Sequence, residues 1–197
     1  MKNFGFFKIA VLSTVFGLFA GCSTTHTPPA DPNMTDMTKE QAAQLSQKKF
    51  HVPCRVEIHC PDSLSGDSDA FFDHYYQYPL QEILSNGFKS AIYCSFDQPG
   101  SEIVDAFNVY VTVPESRLLY TGGEAEYYLQ IIVRFNEPGE KKITAFTLEK
   151  SFQGPVVNKN AIPDVVYEGA KNLAFMTIEK IIKDPKVLKT VKRFEDK

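Results

Sequence analysis

The sequence predicts an α+β fold. We expect a mixed or antiparallel sheet of four to five strands with two helices packed on one face, in the order β-α-β-β-β-β-α, and a short C-terminal helix. Alternating apolar and polar residues, typical of strands, recur in five segments after His51, and helical spacing of apolar residues occurs in two longer segments. A strand, a helix, a strand, three meandering strands and a helix make an α+β sandwich.

The first three elements form a strand, a helix and a second strand. Alternation predicts a strand over Val52–Cys60. Helical spacing over Asp69–Asn86 predicts a helix with Gly87 as its C-terminal stop, and Pro79 either kinks this helix or divides it in two. Alternation over Phe88–Asp97 then predicts the second strand.

Three consecutive strands follow, over Ile103–Val113, Glu124–Asn136 and Lys142–Phe152. The turn NEPG (136–139) joins the last two as a hairpin, because Pro and Gly occupy suitable turn positions. The stretch PESRLLYTGG (114–123) is expected to be the open end of another hairpin.

The last elements are helical. Pro163 and Asp164 are typical of a first helical turn, and one stripe of small and apolar residues follows: Val166, Ala170, Leu173, Ala174, Thr177 and Ile181. After an interruption at Asp184 and Pro185, the basic amphipathic segment 184–197 either contacts anionic lipid headgroups or a partner, or packs on the domain as a solvated helix.

The N-terminus predicts export and lipid anchoring. Basic MKNFGFFK precedes an apolar run that ends at Gly21, which is typical of a signal peptide over 1–21. The run is shorter than the ~20 residues that span a bilayer. LFAGC resembles the lipobox of bacterial lipoprotein precursors, although Phe19 replaces the usual Leu. That resemblance implies cleavage between Gly21 and Cys22, acylation of Cys22 with chains such as palmitate, and, with Ser23, transport to the outer membrane.

Alternatives to this anchor are an ordinary secretory signal cut near Ala20, or a cysteine in a buried helix. Residues 22–50 are rich in Thr, Pro and polar residues, so we expect a lipidated N-terminus followed by a flexible tether. Thr38 and Gln41 match a capping box, which predicts a short polar helix inside this tether. The α+β domain itself is expected over 51–183.

The segment HVPCRVEIHC (51–60) carries residue types of metal and redox sites. Alternation places its histidines on the strand face opposite Cys54 and Cys60, so the four side chains cannot converge on one ion. We therefore expect no metal site and no cofactor. If the second strand pairs as expected, Cys60 lies near Cys94, and two interpretations stay open: a disulfide between them, or buried thiols that act as small apolar side chains.

No nucleophile or catalytic motif is recognisable in the chain, so we expect no catalytic residue and no enzyme. The net charge of −3 gives no basic footprint for nucleic acid. The aromatic segment FFDHYYQY (71–78) offers a candidate partner surface at Tyr75, Tyr76 and Tyr78. Alternatively, one face of this segment lies in the core and the tyrosine hydroxyls remain hydrated.

The order of elements resembles the small outer-membrane lipoproteins of the YajG type and, more distantly, LptE-type and ABC-transport auxiliary lipoproteins. The stretches that carry the resemblance are PLQEILSNGFKSAIY, EYYLQIIVRF and SFQGPVVNKNAIPDVVYEGAKNLAFMTIEKIIKD. The resemblance implies a non-catalytic binding or assembly accessory, anchored to the outer membrane and facing the periplasm or the cell surface. It also implies a role in envelope lipid transport or assembly, with an envelope protein as partner.

Two other functions remain open at this point. The chain could be a surface adhesin or an activator of a peptidoglycan-synthesis enzyme, since both have similar anchors and folds. It could also be a hydrolase whose site carries no recognisable motif.

Overall fold

The computed structural model describes residues 24–26, 32–62, 64–68, 74–100, 105–121, 123–155 and 162–196. The predicted signal peptide over 1–21 and the predicted acylation site at Cys22 lie outside these residues. In chain order the elements are β1 (Thr24–His26), a 3-10 helix (Pro32–Thr35), α1 (Lys39–Ser46), β2 (Cys54–His59), β3 (Leu64–Ser68), β4 (His74–Tyr78), α2 (Leu80–Ser95), β5 (Phe107–Thr121), β6 (Glu124–Asn136), β7 (Lys142–Pro155), α3 (Ile162–Lys183) and α4 (Pro185–Glu195).

Among the described residues, seven strands form one mixed sheet. The strands β5, β6 and β7 form an antiparallel meander. The other edge of β5 accepts two parallel strands in succession, β2 along its first half and β3 near its end. The short strands β4 and β1 extend the sheet beyond β3. The fold class predicted from the sequence is therefore confirmed.

The long strands alternate as the sequence predicts. On β6, every second side chain from Ala125 to Phe135 is fully buried, and β5 buries Phe107, Val109, Val111 and Val113 in the same alternating way. Because successive side chains of a strand point to opposite faces, the helices need to cover only one side of the sheet. The face away from the helices carries polar and exposed residues such as Arg134.

Strand β5 is longer than predicted. The segment expected to be an open hairpin end, Pro114–Thr121, continues the strand and pairs with β6. The register shifts between Thr112 and Glu115, because Pro114 has no N–H to donate and a bulge accommodates it. The turn to β6 is therefore short, and Gly123 in it adopts a φ of 89°.

Helices α2 and α3 pack side by side over the same face of the sheet, with α2 over β2 and α3 over β6 and β7. The predicted stripe of α3 is confirmed, because each of its residues is fully buried: Val166, Ala170, Leu173, Ala174, Thr177 and Ile181. The predicted C-terminal helix is also confirmed as α4, with Asp184 as its N-cap. None of the helices within the described ranges combines the length and apolarity needed to cross a membrane.

Two elements differ from the prediction. The segment Phe88–Asp97 is not a strand: it belongs largely to α2, which runs through Gly87. Part of the predicted helix over Asp69–Asn86 is the strand β4, and Pro79 is the residue at which α2 begins. Gly87 does not stop the helix but lies where α2 meets α3, with the Ala170 carbonyl oxygen 3.7 Å from the position of a Cβ.

The described part of the predicted tether packs on the domain. Helix α1 begins at the predicted capping box of Thr38 and Gln41. Leu45 is fully buried, and the ring centroid of Phe50 lies 5.0 Å from that of Phe96. The expected flexible tether therefore cannot extend through residues 33–50, because their apolar side chains are part of the core.

Candidate functional site

A groove of about 670 Å³ lies where the end of β7 meets the first turns of α3. The floor and walls come from three separate segments of the chain: Met34, the end of β7 from Ser151 to Pro155, and the α3 residues Val165, Tyr167, Glu168 and Asn172. The β7 and α3 parts belong to the same sequence stretch that carries the family resemblance. A concave, mainly apolar site with a polar rim is typical of ligand and peptide binding.

Two glycines set the shape of this groove. A Cβ at Gly169 would lie 2.7 Å from Cδ1 of Tyr127 and 2.8 Å from Cδ2 of Phe152. A Cβ at Gly154 would lie 2.9 Å from Cγ2 of Val165. All three distances are below van der Waals contact, so α3 can approach the sheet this closely only because these residues lack side chains.

The polar rim of the groove is held by hydrogen bonds. Asn172 donates to Glu168 at 3.0 Å and accepts from the side chain of Gln41 at 2.9 Å. Lys171 forms an ion pair with Glu168. This chain of contacts ties α1 to α3 and fixes the rim, so that the groove is preformed.

From this groove, the outer edge of β7 runs along the side of the domain. β7 ends the sheet, and no described strand is hydrogen-bonded to its outer edge. On the helix side of β7, three large apolar side chains remain half-buried: Phe146, Leu148 and Phe152. Lys180 of α3 covers the ring of Phe146 with its ammonium group 4.3 Å from the ring centroid. A long unpaired edge beside an apolar row is a template for a further strand.

The sheet face opposite the helices carries stacked charged and aromatic side chains. The guanidinium of Arg117 lies 4.7 Å from the centroid of the Tyr128 ring, and that of Arg134 lies 5.6 Å from the Tyr110 ring. Leu119 and Ile132 are exposed on the same face, by 49% and 42%. Each guanidinium covers one face of its tyrosine ring. This surface therefore presents both charged and apolar groups.

In the segment 51–60, Cys54 and His59 lie on opposite faces of β2. Cys54 is fully buried and His59 is exposed, as alternation predicts. Burial raises the pKa of Cys54 well above its ordinary value, and burial together with the Asp62 carboxylate raises that of Cys60 to about 11. Thiols with raised pKa values are poor nucleophiles and metal ligands.

The structure does not form the disulfide between Cys60 and Cys94 that the sequence left open. Cys54, Cys60 and Cys94 are all free. The expected pairing depended on Cys94 lying in a neighbouring strand, whereas Cys94 lies on α2 and its thiol donates to the carbonyl oxygen of Ser90. The alternative, in which the thiols act as small apolar side chains, fits the buried position of Cys54.

The tyrosine surface expected at 71–78 is only partly described. Tyr78 is fully buried and cannot be part of a partner surface, because β4 places it in the core. The side chains of Tyr75 and Tyr76 lie outside the described residues. Across the described ranges, no group of three or more His, Cys, Asp or Glu side chains is arranged to hold a metal ion.

Sequence reasoning missed the groove as a site, although two of its features leave a signal. Gly154 lies inside a strand and Gly169 inside a helix, where glycine is disfavoured unless another part of the chain approaches closely. Met34 leaves no comparable signal, because its position depends on how the segment before α1 packs.

No family model matches the chain, and no curated protein matches it. Among solved structures it is similar to protein XCC0632 from Xanthomonas campestris, described under the family DUF330. The TM-score is 0.57 and the identity 7%, over 81% of this chain and 95% of that chain. This similarity shows a shared fold.

Two further solved structures are less similar. One is a putative lipoprotein from Caulobacter crescentus, with a TM-score of 0.43 and 14% identity over 78% of this chain and 97% of that chain. The other is a minor lipoprotein from Acinetobacter baumannii, with a TM-score of 0.34 and 16% identity over 64% of this chain and 92% of that chain.

Proposed function

We propose that the chain is a lipid-anchored, non-catalytic binding module of the bacterial envelope. It is held at the outer membrane through acylated Cys22 and assists another envelope protein. The lipobox-like LFAGC supports the anchor. The resemblance to YajG-type and LptE-type lipoproteins supports a place in envelope lipid transport or assembly.

The observation that carries the binding role is the outer edge of β7 with its apolar row. An extended segment of a partner can add to this edge as a further strand, using the backbone groups for hydrogen bonds. Its alternate side chains would then lie over Phe146, Leu148 and Phe152 and end in the groove beside Gly154. Backbone pairing supplies affinity, and the apolar row and groove supply specificity.

A binding role agrees better with this surface than catalysis does. The groove is lined mainly by apolar and amide groups, and its one carboxylate, Glu168, is paired with Lys171. The three thiols have raised pKa values because they are buried. These features favour recognition of a partner over acid, base or nucleophile chemistry.

Site-specific photocrosslinking in the bacterium that makes the protein tests the binding edge. A photoreactive amino acid replaces exposed Lys150 on β7 or, as a matched control, exposed Lys89 on α2. We expect a defined adduct from position 150 whose crosslinked peptide has apolar residues at alternate positions. The same adducts from both positions, or none from position 150, would contradict the proposed edge.

A second experiment tests the anchor. Cys22→Ala should release the protein from the membrane fraction, because no acyl chain can be attached. Cys94→Ala is the matched control and should stay with the membrane. Retention of both variants at the membrane would overturn the proposed acylation.

A further inference from the structure

The apolar face of helix α4 packs against the core of the domain. Val187 and Val191 are completely buried, and Leu188 and Phe194 pack against the same core. The ring centroid of Phe194 lies 5.2 Å from that of Phe107 in an edge-on contact. This helix therefore has no apolar side left to insert into a bilayer.

The outward face of α4 is basic. Lys186, Lys189, Lys192 and Arg193 are exposed within eleven residues that include one acid, Glu195. That carboxylate accepts a hydrogen bond from the backbone N–H of His51 at 2.8 Å. The helix thus carries four cations in a chain whose net charge is −3.

Acidic groups lie at both ends of α4, and one of them pairs with Arg193. Asp184 caps the helix by accepting from the backbone N–H of Lys186 at 2.8 Å, and Glu137 of the β6–β7 turn pairs with Arg193. Glu179 at the end of α3 pairs with Lys183 at 2.7 Å. Asp196 follows the helix and is exposed. The three lysines of α4 form the centre of the basic face.

The position of α4 relative to the N-terminus is set by the sheet. α4 packs at the start of β5, beside Phe107, whereas β1 connects through β4 and β3 to β5 near Leu118. Eleven residues of strand separate these two positions, roughly 36 Å at about 3.3 Å per residue. Thr24 of β1, two residues after Cys22 in the sequence, and the basic helix therefore lie at opposite ends of the sheet.

We propose that the basic face of α4 rests on anionic lipid headgroups of the membrane that holds Cys22. This inference rests on the proposed lipid anchor. With one contact at each end, the long axis of the sheet lies parallel to the membrane surface rather than perpendicular to it. Charge complementarity favours anionic headgroups, and an acyl chain combined with a basic patch is a known way to hold a protein stably on a bilayer. The helix is already fixed to the domain, so little ordering entropy is lost on contact.

Lysine footprinting of the full, acylated protein in vesicles tests this arrangement. The protein is reconstituted into phosphatidylcholine alone, phosphatidylcholine with phosphatidylglycerol, or phosphatidylcholine with a cationic lipid. Each sample is then labelled with an amine-reactive reagent. We expect labelling of Lys186, Lys189 and Lys192 to fall several-fold only with phosphatidylglycerol, and to recover at high salt because exposed charges are then screened. Exposed Lys89 on α2 is the internal control and should label equally in all three.

Three outcomes distinguish the possibilities. Equal labelling of the α4 lysines in all vesicles, with the protein still bound, overturns the headgroup contact and leaves the anchor intact. Loss of the protein from neutral vesicles overturns the anchor instead. Protection of these lysines in native envelopes, but not in phosphatidylglycerol vesicles, also overturns the proposal and assigns the basic face to an acidic protein partner.

Discussion

The two ends of the sheet are built differently. At the end where β5 begins, aromatic rings close the core: Phe107 stacks on Phe135 with ring centroids 5.5 Å apart, and Phe194 meets it edge-on. At the end where β7 finishes, two glycines allow α3 close to the sheet, and a groove of about 670 Å³ remains open. The same strands thus form a closed end and an open end.

The difference lies in what covers each end. Helix α4 covers the closed end and is tied there by the Arg193–Glu137 ion pair. At the open end, the rim is a hydrogen-bonded chain from Gln41 through Asn172 to Glu168. Aromatic packing stabilises the closed end, whereas hydrogen bonds along a polar rim stabilise the open end.

The largest expected effect is at the closed end. Phe107→Ala should lower the free energy of unfolding by about 3–5 kcal/mol, because it removes a fully buried ring and leaves a cavity. Urea-induced unfolding of the purified protein measures this change. Phe175→Ala, at a half-buried position on α3, is the control and should lower the free energy of unfolding by less. Equal losses would mean that the aromatic cluster does not dominate the stability of the domain.

A smaller loss of stability is expected from a substitution at the open end. Gly169→Ala should destabilise the protein by about 1–3 kcal/mol, because the new methyl group overlaps Tyr127 and Phe152 and pushes α3 away from the sheet. Thermal and urea unfolding report the change. The groove should also lose affinity for any strand that it binds.

Gly87→Ala is the matched control for that substitution. It is also a helical glycine, but its Cβ would meet Ala170 and Ala174 at ordinary contact distances of 3.7–3.8 Å. Here alanine should stabilise the protein by up to about 1 kcal/mol, through its higher helix propensity. If both substitutions destabilise equally, the close approach at Gly169 is not what limits packing at the open end.

The smallest effect concerns Glu140, next to the closed end. Its φ of 67° is unusual for a residue with a side chain, and its carboxylate accepts from the Tyr110 hydroxyl at 2.7 Å, from Asn136 at 3.1 Å and from Asn108 at 3.0 Å. The hydrogen bonds from Tyr110 and Asn136 hold the pKa of Glu140 below its ordinary value of 4.5. Its carboxylate therefore stabilises the fold above pH 4.5, and this contribution is lost as the pH falls through the lowered pKa.

The stability difference between the natural protein and Glu140→Gln should consequently shrink below pH 4.5. Unfolding measured from neutral to acidic pH gives this difference. Glu82→Gln, an exposed position on α2, serves as control. A difference that stays constant with pH would show that the hydrogen bonds do not depend on the charge of Glu140.

The sequence predicted best where one spacing extended over many residues. β6 was predicted over its full length because five alternating positions, from Tyr127 to Phe135, leave no other interpretation, and α3 because its stripe fits only helical spacing. The strand predicted over Phe88–Asp97 is wrong because its apolar residues Phe88, Ile92 and Phe96 are four apart. Residues with this spacing share a face in a strand as well as in a helix. The same pattern predicts Gly87 as the C-terminal stop of a helix that Pro79 kinks or divides, whereas α2 begins just after Pro79 and runs through Gly87.

The groove was harder to predict for a different reason. Met34, Gly154 and Val165 are far apart in the chain, and only tertiary packing brings them together. The basic face of α4 was visible in the sequence, but its distance from β1 depends on β2 and β3 pairing with opposite halves of β5. Parallel pairing between distant strands leaves no local signal.

Because β2 and β3 both pair with β5, the order of synthesis affects how the chain folds. Cys54 of β2 pairs with Phe107 and Gly66 of β3 pairs with Leu118, so neither strand can join the meander until β5 has been synthesised. The meander of β5, β6 and β7 has only local connections and can form first, because short loops close quickly. The strands that precede β5 in the chain therefore wait longest to join the main sheet, and a chaperone would have most time to act on them.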